Sequence, residues 1–173
     1  MMRVVLIVGA VVFGGISTIA VATKTNLIIY NHTESIPRGY YRTVPFTHVE
    51  RDMIVVVCPA KFIRATASIR HYLKPGTCDG LEPMIKYVSA IPGDKVEVSA
   101  REVDVNGVDL PISFRSKIDS QGKPLGHVPD GTYIIPPNKI WLAGRTRRSW
   151  DSRYYGPVPI DLVRAQAFPI FTF

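Results

Sequence analysis

The chain has 173 residues, 46% of them hydrophobic, and carries 21 basic against 14 acidic side chains for a formal charge of +7. Such a length suits one domain with a sizeable core, and such an apolar content excludes a disordered chain. The basic residues are scattered apart from Arg145, Arg147 and Arg148. With no basic helix interleaved with aromatics, zinc-finger spacing or RNP-like run, nucleic acid is not an expected partner, and the charge fits a membrane surface or plain solubility.

In chain order, Arg3 is followed by an uncharged stretch from Val4 to Thr23, closed by Lys24. About twenty residues at about 1.5 Å rise give roughly 30 Å, enough to cross a hydrocarbon core. Ala20-Val21-Ala22, near its end, also fits a secretory cleavage site. A retained anchor and a removed leader both fit, with the anchor preferred, so residues 1–24 read as an appendage and residues 25–173 as one further domain. Either reading exports the bulk of the chain and leaves the Arg3 end inside.

The remainder reads as mainly β. Leu27–Tyr30, Met53–Val57, Ile85–Ile91, Lys95–Val98, Tyr133–Ile135 and Lys139–Leu142 are short runs rich in Val, Ile and aromatics. Val103 to Val108 alternates and turns on Asn106-Gly107, a hairpin signal. Fourteen prolines and thirteen glycines punctuate these runs. Ala60 to Leu73 is the one plausible soluble helix, with Phe62, Ala65, Ile69 and Leu73 spaced for one apolar side. Cys58 and Cys78 are the two cysteines; export would permit a disulfide, but the sequence does not establish that they meet.

Four segments stand out for chemistry. In Asn31-His32-Thr33-Glu34-Ser35-Ile36-Pro37-Arg38-Gly39-Tyr40-Tyr41, Ser35 sits where proline and glycine stiffen and turn the backbone, which presents its hydroxyl. Glu50 to Cys58 is a strand entered through a charged turn. Met84 to Val96 places Lys86 inside an apolar strand that ends at Pro92-Gly93-Asp94. A lysine there faces solvent or the interior, since strands alternate faces; pointing inward, it loses solvation and becomes available as a neutral base for a hydroxyl. Gly144 to Pro157 gathers Ser, Asp and Arg on a loop closed by aromatics. The histidines, His32, His48, His71 and His127, occupy no recognisable triad or metal spacing.

In this order the four segments resemble the signal peptidase I (S26) family of serine proteases, on the strength of Lys86-Tyr87-Val88-Ser89-Ala90-Ile91-Pro92-Gly93-Asp94 and Ser149-Trp150-Asp151-Ser152-Arg153-Tyr154-Tyr155-Gly156. The likeness covers nearly all of the chain from Asn31 onward. It is greatest for the conjugative-transfer, TraF-type branch of pilin-maturing peptidases, on three departures from ordinary leader peptidases. Ser35 is followed by Ile36-Pro37-Arg38-Gly39 rather than Met-x-Pro-Thr. One N-terminal hydrophobic segment is present, and this length leaves no room for the large extra β region of some leader peptidases. The last box, Gly144-Arg145-Thr146-Arg147-Arg148-Ser149, is one residue shorter than the usual Gly-Asp-Asn-Arg-Asp-Asn-Ser.

The resemblance implies a signal-peptidase-like β domain behind one N-terminal transmembrane or signal helix. It implies Ser35 as nucleophile, Lys86 as base, and Asp151 as the acidic residue of the branch, paired with Arg153. Thr33 matches an oxyanion hydroxyl and Ser149 the hydroxyl that orients the lysine. No cofactor and no metal is implied. The expected substrate is an exported pilin precursor, cut or closed head-to-tail; a general leader peptidase and a non-catalytic β scaffold of a conjugative secretion system are the alternatives. The expected partners are the inner membrane and other conjugative transfer proteins. The expected place is the bacterial inner membrane with the catalytic domain in the periplasm, or the periplasm outright if residues 1–22 are removed.

Overall fold

The computed structural model describes residues 28–112 and 114–173, and its architecture is mainly β. The expected anchor or leader at residues 1–24 lies outside the described residues. Among those described, no helix is long and apolar enough to cross a membrane.

Strands β1 (Ile28–Asn31), β2 (Gly39–Pro45), β3 (Ile54–Val57), β6 (Met84–Ala90), β11 (Lys139–Ala143), β12 (Val158–Pro159) and β13 (Val163–Thr172) form a seven-stranded sheet in the order β1-β2-β13-β3-β6-β11-β12. Every neighbouring pair is antiparallel. A second sheet of β7 (Lys95–Val98), β8 (Val103–Val105), β9 (Val108–Asp109) and β10 (Gly131–Ile134) has the order β10-β7-β8-β9. Its β8–β9 hairpin turns on Asn106 and Gly107, both at positive φ, as a two-residue turn between twisted strands requires. A two-residue pair, β4 (Pro75–Gly76) and β5 (Gly80–Leu81), lies between β3 and β6.

Alternation along the strands sorts the core. Val55, Val57, Met84 and Val88 join one apolar cluster with Ile140, Leu142 and Val158. Val56 and Ile85, on the other face, pack with Ile36, Tyr41 and Ala167. A third cluster, around Trp141 and Val96, joins the two sheets.

Two expectations need correction. Helix α1 runs Lys61–Ile69, shorter than Ala60–Leu73, and it buries Ile63 and Ala67 against the first cluster. The side expected to be apolar faces water, with Phe62 60% and Ile69 72% exposed. Both sides carry apolar residues, so spacing did not decide which one meets the sheet. The loop expected after Gly144 contains one helical turn, α2 (Ser152–Tyr155), capped by Asp151, whose side chain accepts from Arg153 N. Cys58 and Cys78, left open above, form a disulfide across a sequence separation of 20, closing the excursion that contains α1.

Candidate active site

Ser35 lies in the turn 32–38, between β1 and β2. That turn is organised by Asn31, a buried residue at the end of β1. Asn31 Nδ2 donates to the carbonyls of Thr33 (2.9 Å), Ile36 (3.1 Å) and Pro37 (3.0 Å). Its Oδ1 accepts from Thr33 N (3.1 Å) and Thr33 Oγ1 (2.8 Å). One side chain thus replaces the ladder that a seven-residue turn cannot form with itself. Asn31 carries no motif signal, since an asparagine after a strand reads as an ordinary turn residue; no feature of the sequence marks its role.

Lys86 lies at the centre of β6, on the face that also carries Met84 and Val88. It points inward and is only 5% exposed. Lys86 Nζ donates to Ser35 Oγ in a short hydrogen bond and to Ser149 Oγ at 3.1 Å. Burial lowers its pKa from 10.5 to about 8; the charge of Asp151 opposes the fall and that of Arg153 adds to it. The structure therefore brings Ser35, Lys86 and Ser149 into one hydrogen-bonded group, with Ser35 and Ser149 themselves buried.

Asp151 and Arg153 stand behind this group and are almost wholly buried. Arg153 Nε donates to Asp151 Oδ1 and Nη2 to Oδ2, both at 2.8 Å. The remaining donors of Arg153 reach the carbonyls of Ile112 (2.7 Å), Phe114 (2.8 Å), Thr146 (3.1 Å) and Ser149 (3.0 Å). Asp151 Oδ2 also accepts from Gly144 N at 2.9 Å. This buried pair is fully hydrogen-bonded, the condition under which two charges persist in an interior. It locks the backbone that carries Ser149. Asp151 hydrogen-bonds neither Ser35 nor Lys86, and it acts on Lys86 through its charge.

The chain passes very close to the site at Gly144. A Cβ there would lie 2.2 Å from Ser149 Oγ and 2.7 Å from the Ser35 carbonyl oxygen, so glycine is required. Arg145 N donates to that same carbonyl at 2.9 Å, tying the last loop to the turn of Ser35. Thr33, two residues before Ser35, spends its hydroxyl hydrogen on Asn31.

Ser35 and Lys86 open into a cleft of about 920 Å³, lined also by His32, Tyr72, Glu82 and Trp150. His32 Nε2, at the start of the serine turn, lies 3.0 Å from Glu82 Oε2, which precedes β6. On another side Ser35 borders a smaller hollow of about 450 Å³, with Ile36, Tyr87, Arg145 and Phe173. The Pro92-Gly93-Asp94 turn after β6 is held by Asp94, which accepts from Arg51 Nε (2.7 Å), Asn106 Nδ2 (2.9 Å) and Ile91 N (2.9 Å). Arg51 above all holds the Asp94 carboxyl down at about 2.

A protein-family model described as "Signal peptidase, peptidase S26" matches residues 1–172. The chain is 36% identical over 168 residues to the conjugal transfer protein TraF of Agrobacterium tumefaciens (strain 15955), covering 95% of this chain and 93% of that one. It is 33% identical over 145 residues to a plasmid transfer protein TraF of Escherichia coli, covering 82% and 81%. A crystal structure of a signal peptidase I from Enterococcus faecalis V583 aligns with 70% of this chain and 97% of its own, at 19% identity and a TM-score of 0.39.

Proposed function

This chain belongs to the signal peptidase S26 family, and from that premise we propose that it is a serine endopeptidase in which Ser35 attacks and Lys86 is the base, acting on an exported pilin precursor. The observation that carries this reading is the buried hydrogen bond between Lys86 Nζ and Ser35 Oγ, on a lysine whose pKa is drawn down to about 8. At that value a useful fraction of the amine is neutral near pH 7, as a general base requires.

Neutral Lys86 takes the proton of Ser35 as Oγ bonds to the scissile carbonyl carbon. The same proton then passes to the leaving amine, the C–N bond breaks, and an ester remains on Ser35. Ser149 holds Lys86 Nζ from the far side. The Ser35 backbone N–H and the Thr33 hydroxyl, turned away from Asn31, receive the developing negative oxygen; one such donor is worth about 10²–10³ in rate. Asp151 and Arg153 keep the Ser149 segment in place.

The ester is released by water, giving a linear product, or by the precursor's own amino terminus, giving a circular one. A role in conjugation is supported by the relatives named for conjugal and plasmid transfer. Export to the periplasm, at the inner membrane, is supported by the uncharged stretch from Val4 to Thr23 and by a disulfide, which persists in oxidising compartments.

Mass spectrometry of a co-expressed candidate pilin tests the reading. Processing by the wild type that vanishes with Ser35→Ala and with Lys86→Ala is the expected outcome. A product about 18 Da below the linear processed peptide marks closure by acyl transfer. Unchanged processing with either variant would sink the assignment of the pair, and processing of many unrelated preproteins would turn the reading toward a general leader peptidase.

A further inference from the structure

The loop from Gly144 to Trp150 carries three arginines and no carboxylate. It passes over Ser35 so that the arginines face both spaces that Ser35 borders. Arg147 and Arg148 line the larger cleft, and Arg145 lines the smaller hollow.

Arg145 is held in two ways. Its amide is bonded to the carbonyl of Ser35 at 2.9 Å, and its guanidinium carbon lies 4.1 Å from the centroid of the Tyr87 ring. Stacking on an aromatic face fixes the plane of the fork and leaves its edge donors to a ligand. The carboxylate beside it is Asp52, at 3.3 Å and 81% exposed, a contact too solvated to neutralise it strongly. Glu34, at the rim of both spaces, is taken up by Arg38 at 2.9 Å and Arg148 at 3.8 Å. The side chains of two arginines (38, 145) and of one carboxylate residue (Glu34) thus line the smaller hollow, and that positive excess lies beside the reacting serine.

We propose that Arg145 anchors a subsite for a carboxylate of the polypeptide substrate, an acidic side chain or a free C-terminal carboxylate, within about two residues of the scissile bond. The distance follows from the backbone bond between Arg145 and Ser35, set against about 3.3 Å per residue of extended peptide. A planar guanidinium grips a carboxylate through two parallel hydrogen bonds, which makes the subsite selective for position as well as charge. The proposal rests on Ser35 as the nucleophile.

Two experiments separate it from that assignment. In the first, the purified full chain in detergent cuts a degenerate peptide library, and the products are read by mass spectrometry. Asp, Glu or a terminal acid should be enriched at one fixed distance from the cut. Arg145→Glu should turn that preference toward Lys or Arg, with a loss of about tenfold in kcat/KM for the acidic peptides and a gain for the basic ones. Cutting that depends on Ser35 yet shows the same preferences in both proteins would overturn the subsite.

The second uses Ser35→Ala and needs no cutting. Arginine Nε resonances are followed while acetyl-Ala-Ala-Ala, its amide, and acetyl-Ala-Glu-Ala amide are added. The Arg145 signal should move with a carboxylate-bearing peptide and stay with the neutral one; comparing the two acids tells a chain end from a side chain. An equal response to all three, or none, would refute the subsite whatever Ser35 does. A shift produced by phosphatidylglycerol vesicles and by no peptide would overturn it in favour of lipid contact. Library cutting that survives Ser35→Ala would instead remove the nucleophile assignment and leave the binding result standing.

Discussion

With a pKa of about 8 in the folded chain against 10.5 as its ordinary value, Lys86 binds fewer protons folded than unfolded between those limits. Its penalty on stability is therefore full below pH 8 and fades as pH rises toward 10.5. Lys86→Met should raise Tm at pH 7 by a margin that shrinks across that window in calorimetry, while processing is lost. For the wild type, kcat/KM should climb with pH through about 8, roughly tenfold from pH 7 to the plateau if neutral Lys86 is the base; a flat profile would remove it from that role. Gly144→Ala should reduce kcat by 10²-fold or more, on the order of losing a positioned donor, because its Cβ would meet Ser149 Oγ and the Ser35 carbonyl. Circular dichroism would show whether the sheet is retained. Asn31→Ala should cost about 1–3 kcal/mol by leaving turn carbonyls without their donor, measured by urea unfolding. Ser35 and Lys86 were legible because each sits in a motif: a serine before Ile-Pro, a lysine before Pro-Gly-Asp. Asn31 and Gly144 open two of the same segments, but their roles were not legible, because they lie in what approaches them once the chain is folded.

At the scale of elements, helix α1 and the disulfide decide how the excursion between β3 and β6 is held. Ile63→Ala should cost about 2–4 kcal/mol, since Ile63 is buried against the sheet. Phe62→Ser and Ile69→Ser, on the wet side, should stay within about 0.5 kcal/mol. Equal costs on both sides would mean that the helix packs the other way round. Cys58→Ser with Cys78→Ser removes a cross-link over a separation of 20 and should cost about 3 kcal/mol. The strands rich in Val and Ile were readable because burial on one or both faces demands such runs. Strand β2 was hidden inside the serine motif, with Gly39 and Arg42 among its residues. Strand β13 was hidden by its composition, Val-Arg-Ala-Gln-Ala-Phe-Pro-Ile-Phe-Thr, in which Pro169 argues against a strand. The register shift between Pro169 and Phe171 is where the ladder accommodates that proline.

Across the whole molecule, Ser35 and Lys86 come from opposite sides of one strand. In the ladder of the sheet, the β1–β2 hairpin that carries the serine turn is joined to the β3–β6 pair that carries the lysine by β13, which pairs with β2 on one side and β3 on the other. Gly39 leaves no room for a side chain where β13 crosses, a Cβ there lying 2.0 Å from the Phe171 carbonyl oxygen. Gly39→Val should therefore separate the halves of the sheet and lower both Tm and activity, whereas Gly126→Ala, with open space around it, should leave activity unchanged. On the ribosome the serine and the lysine emerge well before the strand that unites them, so a growing chain does not hold the pair within one sheet until residues 163–172 have followed.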